Sequence, residues 1–257
     1  MRRFSFILFC LSLTCAGASA SATSKTIHVF VALCDNESQG IVPVPPKLGN
    51  GNDPANNLYW GALYGVKAYL RRSPEWTLVS SRDNPTSNVL ERCVFRHRSG
   101  SAYLIADAYR GSTIKQTVQD FLHAAAGRGA KTLKVDKAVL GLHGRAQLVV
   151  YVGHNGLMDF RLAETKRAAA STARRDAIVL ACKSKTYFRE RLLALGCRPL
   201  LLTTGFMAPE AYTLDRALEG WLAGERGEPL RKRAAQAYHK YQKCGMTNAL
   251  RLFYADE

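Results

Sequence analysis

Two short stretches of the chain are almost entirely apolar, and each is followed at once by a reactive side chain. Residues 148–152 precede the sequence Gly-His-Asn-Gly, which contains His154, and residues 177–181 precede Cys182. A short run without polar positions predicts a strand buried on both faces, which is typical of a parallel sheet. Ligands of such sheets lie at the carboxyl ends of the strands. One crossover helix fits between the two runs, so we expect neighbouring strands with His154 and Cys182 at one edge.

The rest of the chain alternates between short apolar runs and longer stretches with helical periodicity. Further strands are predicted over residues 26–33, 76–80, 92–97, 101–109, 138–142 and 199–203. Helices are predicted over residues 53–72, 113–126, 162–174, 185–195, 209–223 and 229–243. The first helix begins at Asp53 and Pro54, a capping residue followed by proline. This alternation predicts an α/β fold with a doubly wound, mainly parallel sheet flanked by helices. The strands near residue 100 form a hairpin that extends the sheet or decorates an edge.

The first residues have the composition of a secretory signal peptide. Two arginines precede an apolar stretch over residues 4–13, and small residues of the Ala-x-Ala type follow over residues 16–22. The apolar stretch is too short to cross a bilayer as a helix. We therefore expect a signal peptide over residues 1–22 and a single domain over residues 23–257. The domain would be exported, either periplasmic or secreted, without a transmembrane anchor. The alternative is that the first segment remains as an N-terminal anchor.

The balance of charges is strongly basic. The chain has 36 Lys and Arg residues against 20 Asp and Glu residues, which gives a formal net charge of +16 at pH 7. Such a charge favours an anionic surface or polymer as a partner. The basic residues are scattered along the predicted helices and do not alternate with aromatic residues, so specific nucleic-acid binding is not expected.

The common sequence motifs for cofactors are missing. The sequence has no Gly-x-Gly-x-x-Gly or phosphate loop after its first strand, no Gly-x-Ser-x-Gly elbow, and no cluster with the spacing of a zinc site. We therefore expect neither a cofactor nor a metal.

Five cysteines follow the predicted signal peptide, namely Cys34, Cys93, Cys182, Cys197 and Cys244. An odd number outside the cytosol leaves at least one thiol unpaired within the chain. Two disulfides with one free thiol fit this count, and so do five reduced, mainly buried thiols. The count permits a catalytic thiol without establishing one.

His154 and Cys182 together suit nucleophilic catalysis. A thiolate is the competent nucleophile, and an imidazole across the gap can generate it. The backbone N–H groups of Gly156 and Cys182 follow strand ends and are candidates for binding an oxyanion. His143 is a rival base and Cys197 a rival thiol. Both come before a strand rather than after one, so they rank lower.

Two acidic residues leave the first strand at the same edge. Asp35 and Glu37 either line a substrate-binding pocket for a basic side chain or are ordinary polar loop residues. The long loop over residues 38–52 contains glycines and prolines together with apolar residues. We expect it to be a mobile flap over this edge, the alternative being a static surface loop.

The motifs Gly-His-Asn-Gly at residues 153–156 and Leu-Ala-Cys at residues 180–182 resemble those of the caspase–legumain–gingipain group of cysteine peptidases. In that group an apolar strand ending in His-Gly is followed by one crossover and by an apolar strand ending in Ala-Cys or a similar pair. The resemblance implies a caspase-like three-layer sandwich with an added hairpin. It also implies that His154 is the general acid and base, that Cys182 is the nucleophile, and that Gly156 lies near the oxyanion.

The expected function is therefore that of an exported cysteine peptidase-like hydrolase. Its His-Cys dyad would act on peptide or isopeptide bonds of a peptide or protein substrate. One alternative is a catalytically inactive caspase-like module that binds an anionic envelope polymer or a protein partner. A second is an unrelated α/β domain. The state of the Cys182 sulfur distinguishes them, because a disulfide, for example with Cys34, favours the binding module and a free thiol near His154 favours the peptidase.

Overall fold

An eight-stranded sheet forms the centre of the protein in a computed structural model that describes residues 24–168 and 174–256. The predicted signal peptide lies outside the described residues. The strands within them are β1 (Lys25–Ala32), β2 (Trp76–Asp83), β3 (Val89–His97), β4 (Ala102–Tyr109), β5 (Lys131–Val135), β6 (Ala138–Leu142), β7 (Leu148–Val152), β8 (Asp176–Leu180), β9 (Arg198–Thr203) and β10 (Phe253–Tyr254).

The central sheet is mainly parallel. Its strand order is β10-β9-β8-β7-β1-β4-β3-β2, and the five strands from β9 to β4 run in the same direction. The strands β10 and β3 are antiparallel to their neighbours, and β2 is antiparallel to β3. The carboxyl ends of β1, β7, β8 and β9 therefore meet at one edge of the sheet.

Helices cover both faces of the sheet. They are α1 (Val66–Leu70), α2 (Ile114–Ala125), α3 (Ser184–Ala194), α4 (Ala211–Leu222), α5 (Gly227–Gln242) and α6 (Met246–Leu252). Alternate residues of β1 divide between two cores, as expected for a strand with both faces buried. Ile27 and Val29 share a core with α1, α4, α5 and α6, whereas Phe30 and Ala32 share one with α2 and α3. The predicted sheet flanked by helices is confirmed.

The hairpin predicted near residue 100 is also confirmed. β3 and β4 are antiparallel neighbours, and β4 lies in parallel beside β1, so the hairpin extends the main sheet. The strand predicted over residues 138–142 is β6, but it pairs with β5 in a separate two-stranded sheet. β5 was not predicted because its residues are mostly exposed and show no apolar pattern. The short elements α6 and β10 were not predicted either.

The long helix predicted from Asp53 to residue 72 is wrong for most of its length. Only α1 is helical, and residues 53–64 form turns and bends. The Asn57 side chain explains this, because its Nδ2 donates to the Cys34 carbonyl (2.8 Å) and its Oδ1 accepts from the Cys34 N–H (3.0 Å). These bonds hold the segment against the end of β1. The same Oδ1 also accepts the Tyr59 N–H (3.1 Å), and local side-chain bonds to the backbone compete with helix formation.

The basic helix predicted over residues 162–174 is absent from the part of this segment that the structure describes. Residues 161–168 have no regular secondary structure, and residues 169–173 lie outside the described part. The Ala168 N–H donates to the Ala126 carbonyl (2.9 Å), and Arg128 Nε donates to the Lys166 carbonyl (2.7 Å). These contacts draw the segment along the end of α2, so tertiary hydrogen bonds outweigh its helical composition.

A buried ionic cluster joins β1, β3 and β4. The Asp107 carboxylate, which is fully buried, accepts hydrogen bonds from Arg92 Nε (2.6 Å), Arg92 Nη2 (2.7 Å) and His28 Nε2 (3.0 Å). Burial alone would raise the pKa of Asp107, but the hydrogen bonds from Arg92 and His28 outweigh it and hold the pKa at about 2. The carboxylate is therefore ionised throughout the neutral range.

We expect Asp107→Asn to destabilise the fold by about 3 kcal/mol at pH 7, because it leaves the Arg92 guanidinium buried without its charged partner. The pKa of Asp107 is lower in the folded state than in the unfolded chain, where it is about 4. The contribution of Asp107 to the free energy of unfolding is therefore complete above about pH 4. It falls by about 2 kcal/mol as the pH is lowered towards 2. Urea unfolding of both proteins across this range measures the effect. Equal free energies of unfolding at pH 7 would contradict the account.

Candidate functional site

His154 and Cys182 leave the central sheet at the same level of its carboxyl edge. The register of the parallel strands β7 and β8 pairs Val152 with Leu180, and each site residue stands two positions beyond that pair. The Gly153 N–H donates to the Leu180 carbonyl (3.2 Å) and continues the pairing past the strand end. The prediction that these two strands are parallel neighbours is confirmed.

Asn155 ties the two strand ends together. Its side chain is fully buried, and its Nδ2 donates to the Cys182 carbonyl (2.7 Å). Its Oδ1 accepts from the Leu157 N–H (3.2 Å), and the Tyr151 hydroxyl donates to the His154 carbonyl (2.7 Å). Asn155 was not predicted to have a role in the site. Its contact with the Cys182 carbonyl depends on the pairing of the two strands, so it could not be recognised from the local sequence.

Asp159 is the hydrogen-bond partner of His154. His154 is buried, and its Nε2 lies 2.7 Å from Asp159 Oδ2, five residues further along the chain. An ionised carboxylate can only accept, so Nε2 carries the proton and Nδ1 is the unprotonated nitrogen of the neutral ring. The same Oδ2 accepts the Gly40 N–H (3.1 Å). The turn Gly156–Met158 brings Asp159 back towards the histidine.

The Cys182 thiol is free and half-buried. Its sulfur accepts from the Met207 N–H (3.4 Å), and the thiol lies 3.6 Å from the Met207 carbonyl. Lys183 follows with a left-handed backbone (φ 51°), which lets α3 begin directly after the cysteine. Among the described residues, the side chain of His154 is hydrogen-bonded to Asp159 and that of Cys182 to Met207, with no hydrogen bond between the two.

Three of the other cysteines are core residues with unreactive thiols. Burial raises the pKa of the Cys34 thiol to about 11, and it raises the pKa of both Cys93 and Cys197 to about 12. These three thiols remain protonated at neutral pH and are enclosed by the core. Cys34 is free, so the disulfide that would make Cys182 structural is not formed. Cys244 is free and half-buried, like Cys182.

The two rival residues lie elsewhere. His143 precedes β7 and packs on His28, with ring centroids 4.9 Å apart. Burial, followed by the effect of His28, lowers the pKa of His143 to about 3, which makes it a poor base at neutral pH. Cys197 is buried at the start of β9, at the opposite edge from Cys182.

The two backbone groups expected to bind an oxyanion differ in their present bonding. The Gly156 N–H donates to the His154 carbonyl (3.1 Å) inside the turn that it begins. A Cβ at this position would lie 2.6 Å from the end of the Phe160 ring, so a larger residue there would have to displace that ring. In the described part of the chain the Cys182 N–H donates to no acceptor. The oxyanion roles of both groups stay predictions.

The structure brings Asp35 to the same edge through β1, the neighbour of β7. Asp35 is buried, and its Oδ1 accepts the Glu37 N–H (3.0 Å). Gly51 passes so close that a Cβ there would lie 2.5 Å from Asp35 Oδ2. Glu37 is exposed. Substrate binding by these two carboxylates stays a prediction.

The loop over residues 38–52 is anchored at several points. Asn36 bonds to the Val44 backbone on both sides, donating through Nδ2 (2.8 Å) and accepting through Oδ1 (3.0 Å). Its N–H donates to the Gly49 carbonyl (2.9 Å), and the Gln39 Nε2 donates to the Leu33 carbonyl (2.7 Å). These bonds define one closed arrangement of the loop, and its predicted mobility stays untested.

Comparison of the chain with family models, with curated proteins and with solved structures finds no match in any of the three. Within residues 24–168 and 174–256, no three His, Cys, Asp or Glu side chains are grouped closely enough to hold a metal ion. Over the same residues, no helix has both the length and the apolar character needed to cross a bilayer.

We expect iodoacetamide to modify Cys182 and Cys244 in the folded protein and to spare Cys34, Cys93 and Cys197. The three protected thiols are enclosed by the core and protonated, and the thiolate is the reactive form. Peptide mass spectrometry, which assigns each modified site separately, checks this before and after unfolding in guanidinium. Modification of any of the three core thiols at the rate of Cys244 would contradict the arrangement.

Proposed function

We propose that the protein is an exported cysteine hydrolase that cleaves peptide or isopeptide bonds with Cys182 and His154. The observation that supports this most is the register of β7 and β8, since it sets an unpaired thiol and an imidazole at one level of one sheet edge. The order of elements also agrees with the resemblance to the caspase-like peptidases. Along the chain, β7 is followed by His154 and a crossover, and β8 is followed by Cys182. The helix α3 and the strand β9 come next.

The proposed chemistry is acyl transfer through the Cys182 sulfur. Nδ1 of His154 takes the thiol proton, and the thiolate attacks the carbonyl carbon of the substrate. The Cys182 N–H donates to the oxygen that becomes negative. The imidazolium then returns its proton to the leaving amine, and water hydrolyses the thioester in a second step with His154 as the base. No cofactor is required for any of these steps.

The proposed substrate is an extended peptide or an isopeptide-linked chain that crosses the carboxyl edge of the sheet. Asp35 lies at this edge with a carboxylate that accepts one backbone N–H. A lysine or arginine side chain of the substrate would complete its hydrogen bonds and balance its charge. The signal peptide predicted from the first residues supports an activity in the periplasm or outside the cell.

A non-catalytic module that binds a partner is the second candidate. A cavity of about 550 Å³ between α2 and α3 is lined by Leu122, Leu195 and Glu190, among others, and includes neither His154 nor Cys182. Together with the contact of Met207 on the Cys182 sulfur, this favours binding through another face. We give the chemistry at the sheet edge more weight, because a cavity alone identifies no reaction.

We expect a thiol-directed acyl electrophile, such as a peptidyl acyloxymethyl ketone, to label the protein at Cys182. Cys182→Ala should abolish the label. His154→Ala should slow labelling roughly 10²-fold, the usual effect of losing a positioned acid–base group. Cys244→Ser is the matched control, since it removes the other half-buried thiol and should leave the rate unchanged. Equal labelling of the wild type and Cys182→Ala, or no labelling of either between pH 5 and 9, would favour the binding module.

A further inference from the structure

We propose that Asp159 is a positioning residue that fixes the His154 ring and couples it to the loop over residues 38–52 through the Gly40 N–H. This inference rests on the proposed function of the Cys182–His154 pair. It adds a third side chain to that pair and assigns the loop an influence on the reactivity of Cys182.

Asp159 determines which nitrogen of the His154 ring is free to accept a proton. Because Asp159 Oδ2 accepts from Nε2, the neutral ring presents its unprotonated nitrogen, Nδ1, on the opposite side. The carboxylate also stabilises the imidazolium that forms when Nδ1 takes a proton. The backbone of His154 is fixed independently, through its carbonyl, by the Tyr151 hydroxyl (2.7 Å). Asp159 therefore governs the orientation and charge of the ring rather than the path of the chain.

One oxygen of Asp159 is shared by the histidine and the loop. Asp159 Oδ2 accepts both His154 Nε2 (2.7 Å) and the Gly40 N–H (3.1 Å). The side chain of Asp159 is 31 % exposed, and these two donors are its hydrogen-bond partners among the described residues. When the loop is in place, the Gly40 N–H restrains the Asp159 carboxylate that binds the His154 ring. When the loop moves away, the carboxylate loses one of the two bonds that orient it.

Gly40 is suited to this contact because it has no side chain. A Cβ at Gly40 would lie 2.5 Å from Asp159 Oδ1, closer than real Cβ contacts allow. The carboxylate is the end of a flexible side chain, so an added methyl group would push it aside rather than disrupt the loop. Gly40→Ala is therefore a means of displacing Asp159 without altering either Asp159 or His154.

The test measures the rate at which iodoacetamide modifies Cys182 between pH 5 and 10, in a Cys244→Ser background. The rate follows the fraction of thiolate, which a neighbouring imidazolium increases. Asp159→Ala should move the midpoint of the profile upward by about one pH unit and slow modification at pH 7 about ten-fold. Asp159→Asn, which keeps an acceptor but loses the charge, should shift the midpoint in the same direction. A residue that only maintained the fold would not move the midpoint.

Gly40→Ala should raise the midpoint of the pH profile when Asp159 is present. In the Asp159→Ala background, the same substitution should have no further effect. Ser38→Ala, an exposed change two residues away in the same loop, is the control and should leave the profile unchanged. Equal effects of Gly40→Ala in both backgrounds would overturn the coupling. An unmoved midpoint in Asp159→Ala would overturn the role of Asp159.

His154→Ala separates these failures from failure of the proposed function. If His154→Ala leaves the profile unchanged, the dyad itself is wrong. If His154→Ala raises the midpoint and Asp159→Ala does not, the dyad stands and only the positioning role fails. Thermal unfolding of each variant confirms that the comparisons are made on folded protein.

Discussion

The parallel pairing of β7 and β8 is the constraint on which the rest of the edge depends. Both strands are buried on both faces, so each must lie inside the sheet with a neighbour on either side. Side chains alternate between faces, and a slip of one residue would turn every side chain of one strand to the other face. The register that pairs Val152 with Leu180 is therefore fixed by the cores on both sides. The positions of His154 and Cys182 relative to each other follow from this pairing.

The apolar runs were enough to predict this pairing, because a buried strand is recorded locally in the sequence. The helices α3, α4 and α5 were also predicted nearly to their ends, because their pattern is likewise recorded locally in the sequence. The residues that complete the site were not predicted. Asn155 and Asp159 act through contacts with Cys182 and Gly40, which are distant in sequence and become neighbours only in the folded chain. No local periodicity records such a contact.

The two helices that were predicted wrongly show that contacts between distant residues can override a local helical pattern. Around Asp53 and across residues 162–168, the local sequence favours a helix, but hydrogen bonds to distant backbone groups are formed instead. Asn57 binds the backbone of Cys34, and Ala168 binds the carbonyl of Ala126. In each case the segment adjoins the end of another element, where unpaired backbone groups need partners. Satisfying those groups outweighs a helical propensity of a few tenths of a kcal/mol per residue.

Uncharged side chains hold the carboxyl edge of the sheet together. Asn57 binds Cys34 after β1 and Asn155 binds Cys182 after β8, while the Ser184 hydroxyl donates to the Val179 carbonyl and accepts from the Thr203 N–H. These groups are buried and hydrogen-bonded, and because they do not ionise, their contribution to the free energy of unfolding does not depend on pH. None of these hydrogen bonds uses the side chain of His154, Cys182 or Asp159. The protonation of those side chains can therefore change during a reaction without removing the bonds that position the strand ends.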